Sequence, residues 1–377
     1  RSSSVSSLLW IIGMAILLAG CGDSDTEDSP QLGDWTLEEN GLTLTQELQV
    51  SDTGTYFFGF IEDLAVTSGG HMVVLDSEAM HLKVLQPDGT LIDTLGRRGQ
   101  GPGEFQGATR VEVARGDSIY VFDNNLDRLS VFSPPPSPEW ARSTVITSEK
   151  GNLTSLRVLS DQLVGELTLG YTRKEGLYRP SPNTWYALDK GEVSGDSLLS
   201  EQRQQVATSF GGQGAAIAYL PFGRATRVAA GPNRLYHGFT DSLQIRATSL
   251  DGTTEVIATV PTDPIPVTEA ERDSTLEDIP SAIRRPITSS FPETKPAFTD
   301  LVVAEDGRLW VRRPSEELNA RTVSWWILNP ESQTVYEIQL GADVRLEVVR
   351  DGIAYGTATT ESGAPAVVQY RIESKPL

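Results

Sequence analysis

From about residue 60 onward the apolar residues fall in short alternating runs, not at helical spacing. Leu64-Ala-Val66, a Gly-bearing turn and Met72-Val-Val-Leu75 form the first unit. Val111-Glu-Val113, Arg115-Gly116-Asp117 and Ile119-Tyr-Val-Phe122 repeat it at an offset of 47 residues. Period-2 alternation predicts half-buried strands, and run, Gly turn, run predicts a hairpin. Four further units begin at Leu156, Val228, Leu301 and Leu346. Their second strands centre on Val164, Tyr236, Trp310 and Ala354. Third strands follow at Leu82–Leu85, Leu129–Phe132, Trp185–Leu188, Leu243–Ala247, Trp325–Leu328 and Val367–Tyr370. Fourth strands such as 90–95 and 255–260 come after Asp-Gly turns.

Four antiparallel strands recurring every 40 or so residues describe a β-propeller blade. A blade has two apolar faces, so the array must close into a ring. The expected fold is all-β: a six-bladed β-propeller with four-stranded antiparallel blades. Leu42-Thr-Leu-Thr-Gln-Glu-Leu-Gln-Val50 alternates like a strand but precedes the first unit. It is expected to close the ring as the outer strand of the last blade. The second strands are spaced by 47, 44, 72, 74 and 44 residues. The two long gaps are read as loops, 171–179 and 202–224 in the first and 262–295 in the second, and not as extra blades. The last is Pro-rich, and Thr268-Glu-Ala-Glu271 in it is a capping box. A helix is expected from there to Asp278, stopped by Pro280, serving either as a lid over one mouth or as cover for apolar edges.

The N-terminal pattern is different. Leu8 to Ala19 is an uncharged apolar run, too short to span a bilayer and suited to a signal-peptide h-region. It ends Leu18-Ala19-Gly20-Cys21, which resembles the lipobox of bacterial lipoproteins. The resemblance implies recognition of Leu18, Ala19 and Gly20 by a signal peptidase, removal of residues 1–20 and lipidation of Cys21. Acyl chains on Cys21 would then be the membrane contact. Gly22, not Asp, follows the cysteine, which points to the outer membrane. Residues 21–34 are acidic and polar and read as a tether. The propeller is assigned to 35–377.

Composition narrows the chemistry. Among 377 residues there are 51 acidic and 31 basic side chains, a formal charge of −20. Such a chain is a poor nucleic-acid binder, and its surface repels anionic headgroups. The single cysteine excludes a disulfide framework and a multi-thiolate zinc site. His71, His81 and His237 occupy non-equivalent positions in the repeat, so no shared metal site is expected. Trp325 and Trp326 are consecutive in a strand and point to opposite faces; core is the expected role of both. No cofactor and no catalytic residue are predicted.

Gly96-Arg-Arg-Gly-Gln-Gly-Pro-Gly-Glu-Phe105, followed by Ile119–Asp123 and Leu129–Phe132, resembles the inter-blade segment of NHL-type propellers. Asp306-Gly-Arg-Leu-Trp-Val311 resembles the same blade core. The chain as a whole is similar to six-bladed propeller lipoproteins of Gram-negative bacteria. That resemblance implies a binding or interaction module for a protein or small ligand. The alternative it carries is a metal-dependent lactone hydrolase or lyase, in which carboxylate, Asn or His ligands hold a divalent ion at the channel mouth. The residues just before each first strand are Asp63, Arg110, Ser155, Arg227, Asp300 and Arg345. In a closed ring Asp63 would face Arg227 and Arg110 would face Asp300. Three arginines and two aspartates suit a hard cation badly; the set reads as an anion site or as ion pairs between blades. Arg97, Arg98 and Glu104 are candidate loop contacts.

Overall fold

The computed structural model describes residues 32–39, 41–170, 174–211 and 214–374. Cys21 and its lipobox, Leu18 to Gly20, lie outside the described residues. The compact unit begins at Leu32. Leu32 is 4% exposed, so the fold starts inside the stretch read as tether.

Six sheets of four or five strands follow one another along the chain among the described residues. Sheet I comprises Ile61–Val66, Met72–Asp76, His81–Leu85 and Leu91–Leu95. Sheet II runs from Ala108 to Val145, sheet III from Asn152 to Glu201 and sheet IV from Thr226 to Val260. Sheet V spans Asp300 to Gly341, and sheet VI starts at Arg345. Each is an antiparallel meander, and the first strands touch in cyclic order from I to VI and back to I.

The second strands explain the packing. Met72-Val-Val-Leu75 is wholly buried. Successive strand residues point to opposite faces, so Val73 and Leu75 join the core between sheets I and II, while Met72 and Val74 join the core between VI and I. A strand buried on both faces reads as a continuous apolar run, not as an alternation. Four more apolar clusters fill the II/III, III/IV, IV/V and V/VI junctions. Each sheet is therefore covered on both sides, which is the β-propeller arrangement.

Leu42–Val50 pairs antiparallel with Pro365–Ser374 as the outer strand of sheet VI, with Val50 opposite Val367. This is the closing strand read from the sequence. A second staple was not foreseen: Thr36–Glu39 adds in parallel to Thr334–Gly341 as a fifth strand of sheet V. Trp35 Nε1 donates to the carbonyl of Thr259 at 2.9 Å, tying the same segment to sheet IV.

The gap read as Gly-rich loop at 202–224 is structured. Val206–Gly211 and Gly214–Tyr219 form a hairpin, and Gly176–Tyr178 completes a three-stranded sheet. Two paired strands therefore do occur in that gap, against the expectation. They build no blade because their buried face packs on helices instead of on a neighbouring sheet. Helix α1, Glu269–Glu277, has the expected capping box at Thr268 and Glu271. Pro280 ends it and begins a second helix, α2, Ser281–Ser289. Ala207, Leu220, Ile279, Ile283 and Ile287 form the joint core. Glu271 also accepts from the buried Lys295 Nζ at 2.6 Å, and Lys295 donates onward to the Ser315 carbonyl at 2.7 Å. Among the described residues, no helix is long and apolar enough to cross a membrane.

Candidate functional site

The first strands and the turns that follow them surround a cavity of about 720 Å³. All of its lining residues come from those strands and turns. The 262–295 excursion packs on the small accessory sheet, and none of its residues lines this cavity.

The predicted ring is partly gathered here. Asp63, Arg110, Asp300 and Arg345 line the cavity. Ser155 and Arg227 stand outside the lining: Ser155 Oγ accepts from Arg157 Nη1 at 3.2 Å, and Arg227 Nε donates to the Thr299 carbonyl at 2.7 Å. Asp63 and Arg110 pair between adjacent sheets, one of the arrangements expected of the set. Arg110 Nη1 lies 3.1 Å from Asp63 Oδ1, and the backbone N–H of Val111 donates to Asp63 Oδ2 at 2.8 Å. Arg345 Nη2 donates to the Glu62 carbonyl at 3.0 Å. A guanidinium has reach and several donors, so it satisfies the neighbouring strand before it can meet a group across the channel.

Three lining residues escaped the sequence reading: Glu112, Arg157 and Glu347. Each lies two positions beyond Arg110, Ser155 or Arg345, hence on the same side of its strand. Stepping the ring register by two would have found them. Arg157 Nη1 lies 3.4 Å from Glu112 Oε1, and Arg345 Nε pairs with Glu347. Burial, only partly offset by Arg157 and Arg110, pushes the Glu112 carboxyl up to about 7. Burial and the nearby Asp63 push Glu347 up to about 7 as well. Burial also raises Asp300 and lowers Arg157. The carboxyls that remain charged are matched by guanidinium groups, a composition suited to an organic ion more than to a bare metal. Among the described residues no group of three or more His, Cys, Asp and Glu is placed to hold a metal ion.

The rim is a collar of the turns. Ser68 N–H and Oγ donate to the Asp117 carboxylate at 2.7 and 2.5 Å, joining sheets I and II. Ser160 N–H donates to the Pro232 carbonyl at 2.9 Å across III and IV. Arg350 Nη1 donates to the Val66 carbonyl at 3.0 Å across VI and I.

Arg97, Arg98 and Glu104 lie away from this cavity. Arg97 pairs with Glu104 at 2.7 Å, Glu104 Oε2 accepts the Gly101 N–H at 2.8 Å, and Arg98 donates to the Glu78 carbonyl at 3.1 Å. The loop closes on itself so that Phe105 can enter the I/II core. Gly96, at φ +78, has no room for a Cβ beside the Phe105 ring. The histidines are apart: His71 beside Thr67, His81 against Lys83, and His237 beside Thr248. Trp310 and Trp325 are buried core, the latter as expected; Trp326, also expected in the core, is half-buried under the Arg313 guanidinium, 4.6 Å from the ring centroid.

No protein-family model matches this chain, and no curated protein is significantly similar to it. Solved structures do resemble it. A presumed exported protein from Bacteroides fragilis aligns over 90% of this chain and 99% of its own, with a TM-score of 0.56 at 10% identity. A DUF4221-family protein from Bacteroides vulgatus aligns over 90% of this chain and 100% of its own, with a TM-score of 0.52 at 12% identity. At these identities the likeness is one of fold.

Proposed function

We propose that this chain is a lipid-anchored, six-bladed, NHL-like propeller of the bacterial cell envelope. Its axial cavity would bind a small ligand or a short segment of a partner. The carrying observation is the cavity itself: six inner strands enclose one space, and charged groups of both signs, most of them partly buried, face it. Buried charge is costly unless paired, so keeping it on an axis that apolar residues could fill argues for recognition. The six-blade count is supported by six inter-sheet cores and by the cyclic contact of the first strands. Residues 1–20 would be removed, residues from Cys21 would form the tether, and outer-membrane placement follows from Gly22.

The test is a thermal-shift panel of small anions, cations and neutral molecules against the full-length protein and an Ala229→Phe variant, which narrows the cavity. Hits that vanish in the variant support the site. Glu305→Trp, at the exposed rim, replaces that variant if Ala229→Phe does not fold. Hits that are unaffected by either change place binding elsewhere. For the anchor, Cys21→Ser should move the protein from the membrane to the soluble fraction; retention in the membrane would remove the lipid reading.

A further inference from the structure

The cavity wall is not uniform. Sheets V, VI, I, II and III contribute its inner charged groups, whereas sheet IV offers Val228, Ala229, Ala230, Gly231 and Pro232. A charged arc thus faces an apolar wall. Within the arc Asp63 is fully engaged by Arg110 and the Val111 N–H. Glu112 has Arg157 Nη1 at 3.4 Å and the Val158 N–H as partners, and Glu347 is held by Arg345 alone among side chains. Arg345 is half exposed toward the cavity.

Resting on the reading of the axial cavity as a binding site, we propose that it takes a small carboxylate with a compact apolar body. The ligand carboxylate is held by the Arg157 and Arg345 guanidinium groups in place of Glu112 and Glu347, and the apolar body lies on Ala229 and Ala230. The two glutamates take up protons as they give way. Guanidinium groups bind carboxylates through parallel N–H donors, and the apolar body gains from leaving water.

The proton balance follows from the surroundings. Glu112 is faced by Asp63 from sheet I, by Arg110 on its own strand and by Arg157 from sheet III. Glu347 is faced by Asp63 from sheet I, Asp300 from sheet V, Arg345 on its own strand and Arg110 from sheet II. With both glutamates ionised, the seven carboxylates of the lining outnumber its five guanidinium groups and oppose an anion. With both protonated, the two charges are level and that opposition is gone. Both titrate near 7, so uptake of the carboxylate should strengthen as the pH falls toward about 6 and weaken above about 8.

Calorimetric titration of the full-length protein with hexanoate, hexylamine and hexanol, at about pH 6 and about pH 8.5, tests this. Hexanoate should bind at the lower pH and about tenfold or more weaker at the higher one. Arg157→Ala and Arg345→Ala should each weaken it by about tenfold or more. The isosteric pair Glu112→Gln with Glu347→Gln preserves side-chain size, and should keep hexanoate binding while removing its pH dependence. Preference for hexylamine, pH-independent binding by the native protein, indifference to both arginine changes, or no hexanoate binding would each overturn the proposal. If hexylamine or hexanol binds and is lost in Ala229→Phe, the cavity remains a binding site and only the carboxylate inference falls.

Discussion

Sheets I and II hold their incoming connections with one buried carboxylate each; sheet IV does it with a hydroxyl and a long excursion. Asp123, at the end of the second strand of sheet II, accepts four backbone N–H groups, from Gln106, Gly107, Asn125 and Leu126. Asp76 in sheet I accepts from Gly59, Phe60 and Ala79, and from the Lys83 ammonium at 2.9 Å. Each carboxylate gathers the loop entering its sheet and the turn leaving the same strand. In sheet IV the corresponding residue is Thr240, whose Oγ1 accepts a single N–H, that of Ala225, at 3.1 Å. The connections on either side of sheet IV are long and carry the accessory sheet and the two helices. Their order comes from their own apolar core and from the Glu271–Lys295 pair. A short loop can be pinned by one anion; a long one needs a core.

The sharpest break of this comparison is at the carboxylate. Asp123→Ala leaves four buried or half-buried N–H groups without their acceptor and should cost about 3–5 kcal/mol. Thr240→Ala loses one acceptor and should cost about 1 kcal/mol. Urea unfolding of both variants measures the two losses. Equal losses would mean that Asp123 is not the clamp of its sheet.

A smaller and more local effect is expected at Ile283, fully buried between α2 and the accessory sheet. Ile283→Ala removes core methyl groups worth about 2–4 kcal/mol. That core is a cluster separate from the six inter-sheet cores, so the loss should open the excursion before the ring. Limited proteolysis should cut within 262–295 faster, while the main thermal transition shifts little. A main transition that falls by the full amount would show that excursion and ring unfold as one unit.

What the sequence revealed follows the same division. The units of sheets I and II repeat at one offset, and even the paired Asp76 and Asp123 are visible in it, because one physical solution was used twice. The closing strand was legible from its alternation. The accessory hairpin was hidden because its strands are short and small-residue-rich around Gly211 and Gly214, and because its partner is a pair of helices distant in sequence. Thr36–Glu39 was hidden because Leu37 is its only apolar residue. At the cavity, four of the six residues read as a ring line the space, and the Asp63–Arg110 pair joins adjacent sheets, one of the arrangements that the set suggested. The second layer of Glu112, Arg157 and Glu347 was one pleat away.

A pH effect separates sheet III from sheets I and II. Glu201, at the end of the last strand of sheet III, is buried, and burial together with the adjacent Glu166 pushes its carboxyl up to about 9. Asn183 Nδ2 donates to Glu166. In the unfolded chain Glu201 titrates near the ordinary carboxylate value, so between about pH 4.5 and 9 the folded state binds the extra proton. Stability from this group is therefore complete below about 4.5 and is lost as the pH rises through about 9. Glu112 and Glu347 add the same sign over a narrower window that ends near 7. Glu201→Gln keeps the size and removes the ionisation, so its stability should fall less than that of the native protein between pH 5 and pH 8. Urea midpoints at the two pH values measure it, and the variant should keep the part of the slope that the two cavity glutamates supply. Equal slopes in the two proteins would mean that Glu201 is ionised in the folded state.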